Sequence, residues 1–246
     1  MLTQATMQTL RALGLVGMAE AVLAQAQQPD TQALSFDERF GLLVDHEWTY
    51  RQNRRLARRL QEAKLPMAAC VEDIEYYPAR GLDRARMQQL AQCAWVREHR
   101  PCLICGATGT GKTFVASALG NAACREGFST RYYRIPRLLS DLALAHADGS
   151  YPRLLARLAR IDVLILDDWG LAALSAAEGR EILEVLEDRT ERRGTIVTSQ
   201  VPVDGWHDLI ASPTVADAIL DRLIHNAHKL QLKGESMRKV RAKRDK

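Results

Sequence analysis

The stretch Leu103-Ile-Cys-Gly-Ala-Thr-Gly-Thr-Gly-Lys-Thr113 limits what this chain can be more than any other. A short apolar run ends at Gly106, and Gly106 to Thr113 reads G-x-x-x-x-G-K-T. Glycines let the backbone take dihedrals closed to other residues and approach a ligand closely. Successive N–H groups at the start of the next helix then form an anion cradle. Set between a strand and a helix, this is the pattern of a phosphate-binding loop. Lys112 puts a point charge on the outer phosphates, and the Thr113 hydroxyl is placed to hold Mg²⁺. ATP contacts are expected from Gly106, Ala107, Thr108, Gly109, Thr110, Gly111, Lys112, Thr113 and Phe114.

Some fifty residues on comes Asp162-Val-Leu-Ile-Leu-Asp-Asp168. Four consecutive apolar residues indicate a strand buried on both faces. Two carboxylates at its end are what a magnesium-nucleotide site needs. Asp167 is expected to hold Mg²⁺ through water, and Asp168 to orient the attacking water and accept its proton. Gly194 to Ser199 reads as the next buried strand, and Ser199-Gln200 at its end offers polar groups to the γ-phosphate or the water. Further strands are predicted at Thr130–Ile135 and Lys229–Leu232. Helices are predicted at Asp83–His99, Phe114–Cys124, Pro136–Ala147, Tyr151–Arg160, Ala176–Arg192 and Ala216–Ala227. Such alternation predicts a parallel α/β sheet with helices on both faces.

Upstream, residues 1–66 read as a small all-α module and 67–246 as the nucleotide domain. Residues 1–34 look helical, with a break at Pro29. Ser35 and Glu38 have capping-box spacing, and a helix is predicted from there to about Lys64. Its second half carries Arg51, Arg54, Arg55, Arg58 and Arg59 at i, i+3, i+4, i+7 and i+8, one face of a helix, with no acid among them. Like charges at that spacing repel. Arginine forks onto phosphate oxygens, so this face is expected to meet the DNA backbone. Leu65-Pro66 closes the module, and residues 67–82 read as an extended linker.

Composition narrows the rest. A chain of 246 residues can hold one large domain plus a small module. No apolar run reaches the length of a membrane span, and the N-terminus lacks the pattern of a signal peptide. Five cysteines without framework spacing suggest a reducing cytoplasm. Cys102 and Cys105 have C-x-x-C spacing, but on a strand they point to opposite faces, so core packing is expected rather than a metal. His225 and His228 would share a helix face, but no further ligands join them. The net charge is +4, and the tail from Lys233 to Lys246 carries seven basic and two acidic residues. Tyr151 to Arg160 is a further amphipathic stretch with Arg153, Arg157 and Arg160 on its exposed side.

The order GATGTGKT, LILDDWG, TSQ, AILDRL and GESMR resembles the IstB-like insertion-sequence helper ATPases, of the AAA+ class and related to DnaC-type helicase loaders. The resemblance covers nearly the whole chain. It implies an AAA+ P-loop core that uses ATP and Mg²⁺ and assembles as an ATP-dependent ring or spiral of like subunits. It also implies binding to double-stranded DNA with little sequence preference, deformation of that DNA, and its delivery to a transposase. Helicase loading is the alternative. By the same resemblance, Arg222 is an arginine finger acting on a neighbour's nucleotide, and Arg238 is a second sensor of the γ-phosphate. Two departures stand out. Asp168 occupies the place of a commoner Glu, and Gln200 that of a commoner Asn. The sequence stops soon after Arg238, so no separate helical lid is expected.

Overall fold

A computed structural model describes residues 4–28, 31, 33–76 and 78–237. Arg238, the rest of the basic tail and the break expected at Pro29 lie outside the described residues. The chain divides into two compact units, Met1–Arg58 and Arg59–Lys246.

In the first unit the predicted helical stretch is two helices, α1 (Gln4–Ala12) and α2 (Val16–Gln27). The break falls at Gly14, whose φ of +74° no helix accommodates. Helix α3 (Phe36–Ala63) then runs 28 residues. It starts where the capping box places it: Glu38 accepts from the Ser35 N–H, and its own N–H donates to the Ser35 hydroxyl. Helix α2 lies against α3 where Gly17 leaves room, since a Cβ there would stand 2.6 Å from that of Tyr50. The half-turn is pinned by Met18 N–H donating to Glu47 at 2.9 Å. A stripe of Phe36, Phe40 and Val44 on α3 stays exposed.

The expected boundary at residue 66 comes earlier, inside α3. The last turns of the helix already belong to the second unit. Arg59 donates to the Cys124 carbonyl at 3.4 Å, Glu62 accepts from Arg131 through its carbonyl, and Ala63 is fully buried.

The second unit is built on strands β1 (Cys102–Gly106), β2 (Thr130–Arg134), β3 (Val163–Trp169), β4 (Gly194–Ser199) and β5 (His228–Leu232). They form one sheet in the order β2-β3-β4-β1-β5, every pairing parallel. Central strands β1 and β4 are buried throughout, whereas edge strands β2 and β5 are buried only at alternate or scattered positions. That is the expected signature of a sheet covered on both faces.

Helices α4 (Arg84–Ala91), α5 (Ala94–Arg97) and α6 (Lys112–Arg125) cover one face, packing on Cys102, Ile104, Val163 and Ile165. Helices α7 (Ile135–Asp148), α8 (Tyr151–Arg160), α9 (Ala176–Glu187) and α10 (Pro213–Ile224) cover the other, packing on Leu103, Cys105, Leu164 and Leu166. Cys102 and Cys105 thus fall in opposite cores, and all five cysteines are free. The helix predicted over Asp83–His99 is instead two, because Cys93 takes a left-handed φ of +56°. That turn buries Trp95 and leaves Ala94 exposed. His225 and His228 do not share a helix: α10 ends first, and the chain turns at Asn226 with φ +58°. Among the described residues no group of three or more His, Cys, Asp or Glu could hold a metal, and no helix is long and apolar enough to cross a membrane.

Candidate functional site

In a parallel sheet all strands end on the same edge, and the loops leaving that edge converge. Here the loop after β1, the end of β3 and the residue after β4 meet there. Gly109 and Gly111 take φ values of +86° and +93°, and Gly111 caps the start of α6. Positive-φ glycines leading into a helix N-terminus are the backbone arrangement that can bind an anion.

Lys112 lies within this loop, 8% exposed, its Nζ donating to the Ala107 carbonyl at 3.1 Å. Burial pulls its ammonium below the usual lysine range, and the nearby charges of Asp167 and Asp168 act against that. Thr113 donates from its hydroxyl to Asp167 Oδ2 at 2.9 Å. Asp167 is buried, and three hydroxyls converge on its carboxylate: Thr113 and Tyr132 on Oδ2, and Thr198 on Oδ1. The Tyr132 bond is 2.6 Å long. Burial and this bond hold the Tyr132 phenol above the usual tyrosine range.

Asp168 sits beside Asp167 but in a left-handed backbone conformation, φ +62°. A non-glycine residue held there is strained and needs local support. Its side chain is only partly buried, and Arg134 at the end of β2 donates to it at 2.7 Å.

Ser199 does not reach this site. It is fully buried, donates to the Trp169 carbonyl at 2.8 Å and accepts from the Val201 N–H. Strand residues alternate between faces, so its neighbours take the expected place. Thr198 bonds Asp167, and Gln200 accepts from Thr108 of the loop at 2.7 Å.

A cavity of about 270 Å³ opens over the loop, lined by Thr108, Gly109, Gly111, Lys112, Thr113, Phe114, Asp168 and Gln200. Met67, Asp73, Glu75, Arg80 and Met237 complete it. The segment 67–82, expected to be a mere linker, therefore forms a wall of the site. Arg80 is buried, donating to the Thr110 carbonyl at 3.2 Å and the Glu75 carbonyl at 2.5 Å. Met237 N–H donates to the Gly109 carbonyl at 2.8 Å, which lays the Gly234-Glu-Ser-Met237 stretch on the loop. No local pattern marks Tyr132, Arg134 or Arg80, because the site groups they hold, Asp167, Asp168 and Thr110, lie 30 or more residues away.

Arg222 is not gathered into this cavity. It donates to Glu187 at 2.7 Å and to the Ala218 carbonyl. Helix α10 ends just before β5 begins, where His228 N–H bonds the Pro101 carbonyl ahead of β1. Arg222 thus sits at the edge of the sheet opposite its own phosphate loop. Of the arginines expected to meet DNA, Arg51 pairs with Glu47 at 2.6 Å, and Arg59 is half-buried on Cys124. Arg54, Arg55 and Arg58 are exposed.

The family model for IstB-like ATP binding proteins matches residues 8–245. An insertion-sequence ATP-binding protein of Sinorhizobium fredii is 48% identical over 239 residues, covering 97% of this chain and 98% of its own. One from Pseudomonas fluorescens is 49% identical, covering 82% of this chain and 88% of its own. The fold is that of the DnaC helicase loader (TM-score 0.57, 20% identity, 67% of this chain and 97% of that one). It is also that of AMPPCP-bound DnaA from Aquifex aeolicus (TM-score 0.60, 16% identity, 74% and 55%).

Proposed function

Because the chain belongs to the family of IstB-like ATP binding proteins, we propose that it is an ATP-hydrolysing transposition helper. In this reading it assembles on double-stranded DNA, deforms it and delivers it to a transposase. The observation that carries the reading is the hydrogen bond from Thr113 to Asp167, 2.9 Å, at the mouth of a buried lysine-bearing loop. It joins the two oxygen donors that a magnesium nucleotide requires, from elements 54 residues apart.

The residues fit such a group: a hydroxyl and a carboxylate are hard oxygen ligands suited to Mg²⁺. Bound magnesium neutralises charge on the outer phosphates. The N–H groups of the loop cradle the phosphate chain, whose negative charge offsets the burial penalty on the Lys112 ammonium. Asp168 orients the attacking water and accepts its proton, and Gln200 stands beside the same opening. Met67, Phe114 and Met237 supply the apolar end of the cavity, suited to the base.

Arg222 cannot serve its own loop from the opposite edge of the sheet, so it acts on a neighbour's nucleotide. Hydrolysis then belongs to the assembly, a ring or spiral of like subunits. The exposed Phe36–Phe40–Val44 stripe offers apolar surface for such contacts. Arg54, Arg55 and Arg58 would line the DNA backbone, with steep salt dependence. The fold shared with the DnaC helicase loader keeps helicase loading as the second reading, and the insertion-sequence relatives favour transposition.

The test is a mixing experiment. Lys112→Ala and Arg222→Ala are each expected to be nearly inactive as ATPases alone. Mixed with DNA present, they should recover part of the wild-type turnover, since one variant supplies intact loops and the other intact fingers. Full activity of Arg222→Ala by itself, independent of protein concentration, would overturn the shared-site reading.

A further inference from the structure

Helix α8 carries Arg153, Arg157 and Arg160 and no acid among its ten residues, Tyr-Pro-Arg-Leu-Leu-Ala-Arg-Leu-Ala-Arg. All three arginines are exposed, and among the described residues none of their side chains makes an ion pair or hydrogen bond. With Ser129, Ala156 and Ile161 they line a concave surface in which no carboxylate takes part. The nearest acid in sequence, Asp162, is taken up by Ser129 at 2.7 Å and faces Arg193.

A solvated charged face does not account for this set. Arg157 and Arg160 lie in the last turn, where a helix favours cations, but Arg153 lies in the first, where it favours acids. Arg153–Arg157 and Arg157–Arg160 are like-charge neighbours at i,i+4 and i,i+3, which repel. A polyanion laid across the helix offsets all three unfavourable terms with attraction to each arginine. The arginines span two turns, roughly 10 Å along the axis. That distance matches about three axial steps of one duplex strand, from one phosphate to the third beyond it, at about 3.4 Å of rise each. A bilayer is a poor fit, because the apolar side of α8, Leu154 and Leu158, is already buried in the core and cannot insert.

We infer that the exposed arginine face of α8 is a phosphate-backbone contact for duplex nucleic acid on the ATPase unit itself, separate from the arginines of α3. It rests on the proposed DNA-binding function, and the experiment separates the two.

Binding of the full-length protein to a labelled duplex is measured by anisotropy over a range of salt concentrations. The proteins compared are wild type, Arg153→Ala/Arg157→Ala/Arg160→Ala, the Lys triple at the same positions, and Arg54→Ala/Arg55→Ala/Arg58→Ala. Thermal midpoints check folding. The α8 Ala variant is expected to bind at least tenfold more weakly. Its log K against log salt slope should be shallower by about 2 to 3, since each phosphate contact contributes about 0.9. The Lys triple should restore the slope. Wild-type affinity and slope in the α8 Ala variant, with binding lost in the α3 variant, would overturn this inference and leave the DNA-binding reading standing. Absence of duplex binding by the wild type would overturn both. Weakened binding to polyglutamate with unchanged duplex binding would assign the face to an acidic protein and overturn it too.

Discussion

Tyr132, from edge strand β2, donates a 2.6 Å hydrogen bond to Asp167 at the end of β3. The carboxylate proposed to face the metal is thus held by a phenol from the neighbouring strand. A hydrogen bond to a charged group contributes about 1.5–3 kcal/mol. Thr113 and Thr198 remain when it is lost, so Tyr132→Phe should act on orientation more than on fold. The Mg²⁺ concentration for half-maximal turnover is expected to rise roughly tenfold, the lower end of that range, since two hydroxyls still hold the carboxylate. Nucleotide binding measured without Mg²⁺ should not change. An unchanged Mg²⁺ dependence would show that the phenol has no part in orienting Asp167.

Arg134 and Asp168 form the second relationship at this edge, 2.7 Å apart. Arg134 is 57% exposed, so the pair adds little stability. Its consequence is chemical, because the ion pair occupies the carboxylate proposed to accept the proton of water. Arg134→Ala is expected to raise turnover without DNA severalfold and to narrow stimulation by DNA, with the thermal midpoint unmoved. Asp168→Asn should abolish turnover in either background. A fall in basal turnover for Arg134→Ala would mean that the arginine supports the reaction instead of restraining it.

Arg189 is fully buried, yet among the described residues no acid bonds it. Its guanidinium donates to the carbonyls of Leu158, Ile161 and Gly194 and to the Thr195 hydroxyl. Burial, with Arg193 adding to it and Asp162 acting against it, pulls its pKa down to about 9. It ties the end of α8 to the start of β4. Arg189→Met would leave those acceptors buried without donors, at about 1–3 kcal/mol each. A loss of at least roughly 3 kcal/mol in urea-induced unfolding is expected. A loss under about 1 kcal/mol would mean that water or the backbone takes over.

The thiols give a check on the core. Burial pushes Cys93 and Cys105 up to about 11 and Cys102 up to about 12. The thiolate is the reactive form, so Cys102 exposes only about one part in ten thousand as thiolate at pH 8. Alkylation of the folded protein followed by mass spectrometry should find half-buried Cys70 modified first, and the other four only after denaturant is added. Early modification of Cys102 or Cys105 would place the β1 strand nearer the surface than described.

Much was legible in the sequence, and for local reasons. The phosphate loop announces itself because its glycines, lysine and threonine are contiguous. The start of α3 is legible because a capping box closes within four residues. Cys102 and Cys105 could be sent to opposite cores from strand alternation alone. Local pattern does not mark the single residues that interrupt a helix, Gly14 and Cys93, nor which residue at the end of β4 faces the loop. Of the expected Ser199-Gln200 pair only Gln200 faces the loop; Ser199 turns to the Trp169 carbonyl, and Thr198 bonds Asp167. Only the tertiary structure could bring Tyr132, Arg134 and Arg80 to the loop or set Arg222 on the far edge of the sheet. Those positions follow from the strand order β2-β3-β4-β1-β5, and a parallel sheet pairs strands distant in sequence. The contacts that complete the site are nonlocal, so no spacing in the chain encodes them.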